Sequence, residues 1–226
     1  MNLSHSTILV APLNWGLGHS TRCIPIINAL IDRGAKVIIA SDGVALGLLQ
    51  KEFPQLKHYE LSSYRISYAK DGRLFKLKMI LNSYKILWAM YKERQDVKRI
   101  VKAEKVTGII SDNRLGVFYR SIPNVFITHQ LRVLSGSTTY ISSKLHQQVF
   151  KRYDAVWVPD FESENNLTGR LGHLDKKPKN LIYLGPLSRF EKKEEPLVYD
   201  LMVLLSGPEP QRTMLEEKLL NALEQY

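Results

Sequence analysis

Residues 7–22 read TILVAPLNWGLGHSTR, and this stretch decides the fold class of the chain. The continuous apolar run over 7–11 predicts a buried strand. A turn with two glycines leads from it into a helix predicted over 20–33, with Ser20 or Thr21 as the N-cap. In open α/β sheets ligands bind outside the carboxyl ends of the strands, and a glycine-rich turn there lets the backbone approach a ligand closely. This turn is therefore the first candidate for a binding site.

Strand and helix patterns alternate through most of the remaining chain. Further strands are predicted over 36–40, 58–61, 108–111, 124–128, 155–158 and 181–184, and several of these are continuous runs of Val, Ile and Leu. Helical patterns lie between them over 44–52, 75–105 and 137–152. This alternation predicts an α/β fold with a doubly wound parallel sheet, which is a Rossmann-like domain.

The composition of the chain changes after Gly185. A charged segment, EKKEEP over 191–196, predicts a linker over 187–198. It separates a first domain, 1–186, from a strand predicted over 199–205 and a helix predicted over 212–226. One strand and one helix cannot bury both faces of the strand, so 199–226 is interpreted as the truncated start of a second Rossmann-like domain.

Composition and charge exclude several classes of protein. The one cysteine, Cys23, excludes a disulfide framework and fits a reducing compartment. The chain has neither a secretory signal pattern nor an apolar run long enough for a membrane span, which predicts a cytoplasmic location. Its net charge is +10, and residues 65–105 hold twelve Lys or Arg against four Asp or Glu.

The basic segment 65–105 has two interpretations. Its large apolar side chains recur at helical spacing, which favours a core-facing stripe with a solvated cationic back; they are Phe75, Met79, Tyr84, Leu87, Trp88 and Tyr91. Alternatively, part of the segment docks on an anionic membrane surface, as basic amphipathic helices do. No nucleic-acid-binding motif is present, so nucleic acid is not expected as a partner.

The glycine-rich turn itself matches a dinucleotide-binding fingerprint poorly. Gly16 and Gly18 fit the first two glycines of that fingerprint, but Thr21 stands at the third position, and Asp42 would have to be the ribose-binding acid. His19 is more informative, because an imidazole at the mouth of a cleft can take a proton near neutral pH. The alternative is a histidine that only hydrogen-bonds the turn.

Residues 14–22, NWGLGHSTR, resemble the N-terminal signature of GT-B glycosyltransferases. The resemblance is strongest to the family 28 group, which includes the N-acetylglucosaminyltransferase that completes the lipid-linked peptidoglycan precursor. In that group a turn ending in Gly-His joins the first strand to the first helix, and the histidine is the favoured general base on the acceptor hydroxyl. The resemblance therefore implies that His19 is a catalytic base.

Three further segments agree with this resemblance. Residues 109–114, IISDNR, put Asp112 at a strand end, where the family places a residue that faces the acceptor or orients the base; capping of the next turn is the alternative. Residues 122–130, IPNVFITHQ, resemble the family's strand beside the acceptor, although His129 also suits a core position. Residues 203–211, VLLSGPEPQ, stand where the second domain opens its donor-diphosphate loop.

The resemblance implies a metal-independent sugar transfer from a nucleoside-diphosphate donor to an acceptor hydroxyl. The donor is expected to be a UDP-sugar carrying a hexose or N-acetylhexosamine, and it is a co-substrate, with no other cofactor. The acceptor is a sugar or a lipid-linked molecule. Besides catalytic His19 and Asp112, the implied acceptor-side residues are Asn14, Trp15, Gly16, Gly18, Arg22, His129 and Gln130, and the implied donor-side residues are Ser206, Gly207 and Gln211.

In this family most contacts to the nucleotide come from the second domain, so the 226-residue chain alone is expected not to turn over donor. Two other functions stay open. A UDP-sugar epimerase has the same fold, but its usual Gly-Thr-Arg-Pro-Glu turn is replaced here by Gly-Leu-Gly-His-Ser. A non-catalytic remnant that binds a sugar or a lipid is the other.

Overall fold

The computed structural model describes residues 2–64, 75–133, 139–194, 196–206 and 209–223, with side chains described except at 75–86, 141 and 145. The chain divides into two compact units, Met1–Arg189 and Phe190–Tyr226. The domain limits expected from sequence, 1–186, 187–198 and 199–226, stay predictions.

The first unit is built on a seven-stranded parallel sheet, which confirms the predicted fold class. The strands run in the order β3-β2-β1-β4-β5-β6-β7. They are β1 (Thr7–Pro12), β2 (Lys36–Ser41), β3 (Lys57–Glu60), β4 (Gly108–Asp112), β5 (Asn124–Ile127), β6 (Ala155–Val158) and β7 (Leu181–Tyr183). The seven strands predicted for the first domain are therefore confirmed to within a residue or two at their ends.

Helices cover both faces of this sheet. They are α1 (Gly18–Asp32), α2 (Gly43–Glu52), α3 (Phe75–Glu104) and α4 (Thr139–Phe150), followed by a short 3₁₀ helix, Gly169–Leu171. On β1, Val10 packs with Ile27 of α1 on one face, and Leu9 packs with Val97 of α3 on the other. Burial on both faces explains why the central strands are continuous apolar runs.

The sheet brings three strand ends together at one edge. The order of the strands reverses between β1 and β4, where a doubly wound sheet opens a crevice for ligands. Pro12, the last residue of β1, pairs with Asp112, the last residue of β4, and Asp112 in turn pairs with Ile127 of β5. The segments that follow β1, β4 and β5 therefore start side by side.

Two predictions about local structure were wrong. Helix α1 begins at Gly18 with Leu17 as the N-cap and has no side-chain cap, so neither Ser20 nor Thr21 caps it. No strand forms over the described residues of 199–206, because an isolated run has no neighbouring strand to accept its hydrogen bonds. The predicted helix after it is confirmed as α5 (Gln211–Leu223).

The prediction that the apolar side chains of α3 face the core was also partly wrong. Leu87, Trp88 and Tyr91 are more than half exposed, whereas the helix buries Val97 and Ile100 against the sheet. A 30-residue helix extends beyond the sheet that it covers, so apolar spacing alone does not tell which turns are buried. The side chains of Phe75, Met79 and Tyr84, and residues 65–74, lie outside the described part of the structure.

Candidate active site

Asp112 is the centre of a polar cluster at the carboxyl ends of β1, β4 and β5. It ends β4, and its carboxyl group is completely buried. A buried carboxylate is costly unless charged or polar partners compensate for the lost water. The partners of Asp112 therefore determine what this position does.

Three residues on the first turns of α1 supply those partners. The Arg22 guanidinium binds both carboxylate oxygens, with Nε 2.6 Å from Oδ2 and Nη2 in contact with Oδ1. His19 places Nδ1 3.0 Å from Oδ1, and Cys23 places Sγ 3.7 Å from Oδ2. Positions i, i+3 and i+4 of a helix share one face, which explains how one short stretch can surround the carboxylate.

The cluster keeps Asp112 ionised. Burial acts to raise the pKa of the carboxyl, but the hydrogen bonds from Arg22 and His19 outweigh it and hold that pKa below the usual value. Burial and the adjacent carboxylate both raise the pKa of the Cys23 thiol, so the thiol stays protonated and donates to Asp112. Asp112 is thus a fixed negative charge beside His19.

His19 has two competing neighbours at the same nitrogen. Nδ1 lies 3.0 Å from the Asp112 carboxylate and 2.8 Å from Arg22 Nη2. The carboxylate accepts hydrogen bonds and the guanidinium donates them, so one tautomer of His19 satisfies one contact at a time. When Nδ1 carries the proton and donates to Asp112, Nε2 has a free lone pair.

His129 joins the cluster from the segment after β5. Its Nδ1 lies 3.0 Å from Arg22 Nη1. Because arginine can only donate, His129 Nδ1 accepts, and the ring carries its proton on Nε2. Burial, followed by the positive charge of Arg22, lowers the pKa of His129. His129 is therefore a neutral imidazole that presents an N–H group.

The structure places the remaining predicted acceptor-side residues in different surroundings. Gly16 has φ +77°, a conformation that favours glycine, and Trp15 beside it is 47% exposed. Gly18 starts α1. The Gln130 main chain binds Thr128 and His146, and no side-chain bond of Gln130 to the Asp112 cluster occurs among the described residues.

Asn14 faces a second, buried cluster. Its amide Nδ2 donates to Asp42 Oδ2 over 3.2 Å, and its Oδ1 accepts from the Ala45 amide in the first turn of α2. Gly43, at φ +51°, passes so close to the Asn14 amide that a Cβ atom there would overlap it. Asn14 therefore ties the turn after β1 to α2 rather than pointing at a ligand.

Arg114 is the hub of this second cluster, and sequence reasoning did not single it out. Its Nη1 lies 2.6 Å from Asp42 Oδ1, its Nε donates to Glu93, and its Nη2 donates to the Ser62 carbonyl over 3.0 Å. Both oxygens of Asp42 are thus occupied, which is unlike the free acid that a ribose-binding site needs. The one sequence signal for the cluster was Asp42 at the end of β2.

The curated relative and the three solved structures described below, all similar to this chain, are glycosyltransferases. No protein-family model matches the chain. An uncharacterized glycosyltransferase of Methanosarcina mazei is 25% identical over 199 residues, which cover 79% of this chain and 50% of the relative. MurG of Acinetobacter baumannii superposes with a TM-score of 0.52 at 16% identity, over 98% of this chain and 58% of that one.

Two further solved structures agree. CalG4, the calicheamicin glycosyltransferase, has a TM-score of 0.52 at 12% identity, over 82% of this chain and 53% of that one. Phytolacca americana UGT2, complexed with UDP-2fluoro-glucose and pterostilbene, has a TM-score of 0.51 at 14% identity, over 83% of this chain and 55% of that one. The chain has the GT-B glycosyltransferase fold. It spans about half the length of the curated relative that it matches.

The GT-B donor-side residues predicted from sequence all belong to the second unit. Ser206 ends a segment without regular structure, and Gln211 is the first residue of α5. Gly207 lies outside the described residues. These three assignments stay predictions, because the described residues of this unit form one helix and no sheet.

Two absences were found within the described parts of this GT-B chain. They hold no group of three or more His, Cys, Asp or Glu side chains arranged to bind a metal ion. No described helix is long and apolar enough to cross a membrane.

Proposed function

We propose that the chain forms the acceptor-side half of a GT-B glycosyltransferase, with His19 as the general base. The contact between His19 Nδ1 and the buried Asp112 carboxylate, 3.0 Å long, carries this proposal. A base oriented by a carboxylate at its far nitrogen is the arrangement that activates a hydroxyl in other hydrolases and transferases. Its place beside the point where the strand order reverses suits a ligand crevice.

The proposed reaction uses the Nδ1–H tautomer of His19. Asp112 accepts that proton in a hydrogen bond, so Nε2 takes the proton of the acceptor hydroxyl as the oxygen bonds to the anomeric carbon. The bond from that carbon to the donor phosphate oxygen breaks, and the nucleoside diphosphate leaves. The imidazolium that forms is stabilised by Asp112, whose own proton affinity is kept low by Arg22.

The other site residues have supporting parts in this proposal. His129, as a neutral ring with an Nε2–H group, donates a hydrogen bond to an acceptor oxygen. Trp15 and the backbone at Gly16 and Gly18 form the wall of the acceptor site. The donor is proposed to be a UDP-sugar whose diphosphate meets main-chain amides around Ser206, Gly207 and Gln211. The co-crystallised UDP-2fluoro-glucose of UGT2, which shares the fold, supports a donor of this class.

The test is a screen of donors and acceptors with the complete polypeptide that contains this sequence. UDP-hexoses and UDP-N-acetylhexosamines are offered with soluble sugars and with lipid-linked acceptors, and release of UDP is measured together with the glycosylated product. We expect UDP release that requires an acceptor and does not change when EDTA is added. Acceptor binding without turnover would indicate a binding module instead, and conversion of the donor sugar without acceptor would indicate an epimerase.

We also propose that α3 docks this half of the enzyme on an anionic membrane, where a lipid-linked acceptor would be found. Leu87, Trp88 and Tyr91 are exposed, and the rings of Trp88 and Tyr91 stack at 5.6 Å. Lys92 lies over the Trp88 ring at 5.5 Å. Exposed aromatic rings beside cations suit the interface of a membrane with negatively charged headgroups.

The double substitution Trp88→Ser and Tyr91→Ser is expected to weaken binding to vesicles that contain anionic lipid by at least about tenfold, because two rings lose their apolar burial. Co-sedimentation with vesicles measures this. The control, Val44→Ser with Leu167→Ser, replaces two apolar residues outside α3 that are also more than half exposed. Docking through α3 is excluded if both double variants and the unmodified chain bind alike.

A further inference from the structure

A groove of about 840 Å³ opens between α4 and the segment 174–179, which precedes β7. Its volume lies within the range of small-molecule sites in proteins. The cationic side chains that line it are Arg132, Lys144, Lys176, Lys177 and Lys179. One carboxylate, that of Asp175, also lines the groove. No residue of the Asp112 cluster lines this groove. It is therefore a site separate from the candidate active site.

The positive charge of this groove is poorly neutralised. Asp175 binds Arg132, with Oδ1 2.7 Å from Nη2, although its side chain is 95% exposed. Lys177 pairs with Glu162 outside the groove. Lys176 and Lys179 are exposed, and neither has an ion-pair partner within the described part of the chain. Like charges that converge on one concavity repel each other, and a bound anion would remove that repulsion.

The groove also offers apolar surface beneath these charges. Tyr140 on α4 is 74% exposed, and Lys144, one turn later, lies 5.7 Å from the centre of its ring. Leu174 and Pro178 contribute apolar lining from the opposite side. A solvated lysine face would be convex and polar throughout. A concave site with an aromatic ring, apolar walls and a cationic rim fits a ligand that combines phosphate with a sugar or a similar ring.

The groove is continuous in sequence with the acceptor side of the candidate active site. Arg132 follows His129 by three residues, and its Nε donates to the His173 carbonyl over 3.1 Å. The amide groups of Leu131 and Arg132 both donate to the Leu171 carbonyl, and His146 of α4 contacts the Gln130 carbonyl at 3.0 Å. One stretch of backbone after β5 thus supplies His129 to the cluster and Arg132 to the groove.

We infer that the groove between α4 and residues 174–179 is a binding site for the phosphate group of a small molecule. Arg132 and Lys144 hold the inner part of the phosphate, while Lys176 and Lys179 close over it from the rim. The phosphate belongs either to a phosphorylated acceptor or to a nucleotide. If the phosphate belongs to an acceptor, the groove is an extension of the acceptor site, and this assignment rests on the proposed function. The binding of an anion in the groove does not depend on the proposed function.

Binding is tested on the purified 226-residue chain by calorimetry, with pyrophosphate, glucose 1-phosphate and UDP as probes. We expect at least one probe to bind with Kd below about 1 mM at about 50 mM salt, and binding to weaken at about 150 mM salt because screening increases. The double variant Lys176→Gln and Lys179→Gln is expected to weaken that binding at least about tenfold, since two of the ligand's charge partners are lost.

The control is Lys98→Gln with Lys102→Gln, which removes the same charge from exposed positions on α3. An equal loss in both double variants, or no binding of any probe, would overturn the site. Stronger binding of glucose 1-phosphate than of UDP identifies the acceptor as the source, and the reverse order identifies the nucleotide. Because no turnover is measured, failure of the proposed transfer reaction would leave the binding result standing.

Discussion

Replacing His19 with alanine is expected to lower kcat by about 10²- to 10⁴-fold in the complete polypeptide, with little change in KM for the donor. The acceptor hydroxyl would have to lose its proton to water, whereas donor contacts from other residues would stay. The fold should be kept, because Asp112 still holds its two bonds to Arg22 when His19 is gone. Steady-state kinetics with the best donor and acceptor from the screen measure the effect.

Two companion variants separate a base from a merely structural histidine. His5→Ala changes an exposed histidine before β1 and should leave kcat unaltered. Asp112→Asn replaces the carboxylate beside His19 Nδ1 with a neutral amide, so it should lower kcat because the imidazolium formed in the reaction loses its counter-charge. A His19→Ala enzyme with kcat within about twofold of the unmodified protein would exclude the role of base.

The parts of this fold that the sequence predicts well are those determined by short-range pattern. The central strands β1, β2 and β4 are largely apolar and buried on both faces, so each can be recognised without knowing its neighbours. The resemblance to GT-B glycosyltransferases implied that Asp112, at the end of β4, faces the acceptor or orients His19, which lies in α1 beyond the end of β1. The order β1-β4 in the sheet makes those two ends adjacent.

The pairing of charges was much less predictable. Arg22 was assigned to the acceptor, yet its guanidinium lies on the carboxylate of Asp112, which is 90 residues away in sequence. Arg114 gives no sign of burial in its own segment, since its partners come from the residue after β2, from α3 and from the residues after β3. Long, flexible side chains reach several neighbours, and only the assembled sheet determines which of them they meet.

In the second unit, short-range pattern alone did not predict the structure correctly. The run over 199–205 has the apolar composition of a strand, but strand formation depends on hydrogen bonds to a neighbouring strand. The described residues of this unit offer none, so the segment has no regular structure, and Leu201 and Leu204 are exposed. Helix α5 forms because its hydrogen bonds are internal.

Arg114→Met is expected to lower the free energy of unfolding by about 3–5 kcal/mol, the usual cost of breaking a buried ion pair from one side. Arg114 and Glu93 are completely buried, and Asp42 is 5% exposed. Without the guanidinium, two carboxylates would stay in the core with no cation between them. Urea denaturation followed by circular dichroism measures the change, and Arg120→Met, at an exposed position in the following segment, is the control.

The loss of unfolding free energy caused by Arg114→Met should also depend on pH. This dependence distinguishes the effect of unpaired buried carboxylates from the effect of lost packing. Burial already raises the pKa of Glu93 in the intact protein, and losing Arg114 removes the main opposing influence. A carboxyl whose pKa is higher in the folded state takes up a proton on folding, so its penalty grows as pH rises through that pKa. The deficit should therefore be smaller at about pH 5 than at about pH 7.5, and the added substitution Glu93→Gln should recover part of it at the higher pH. A deficit that is the same at both pH values would mean that the methionine variant loses packing, and that the cluster around Arg114 does not hold its carboxylates by charge.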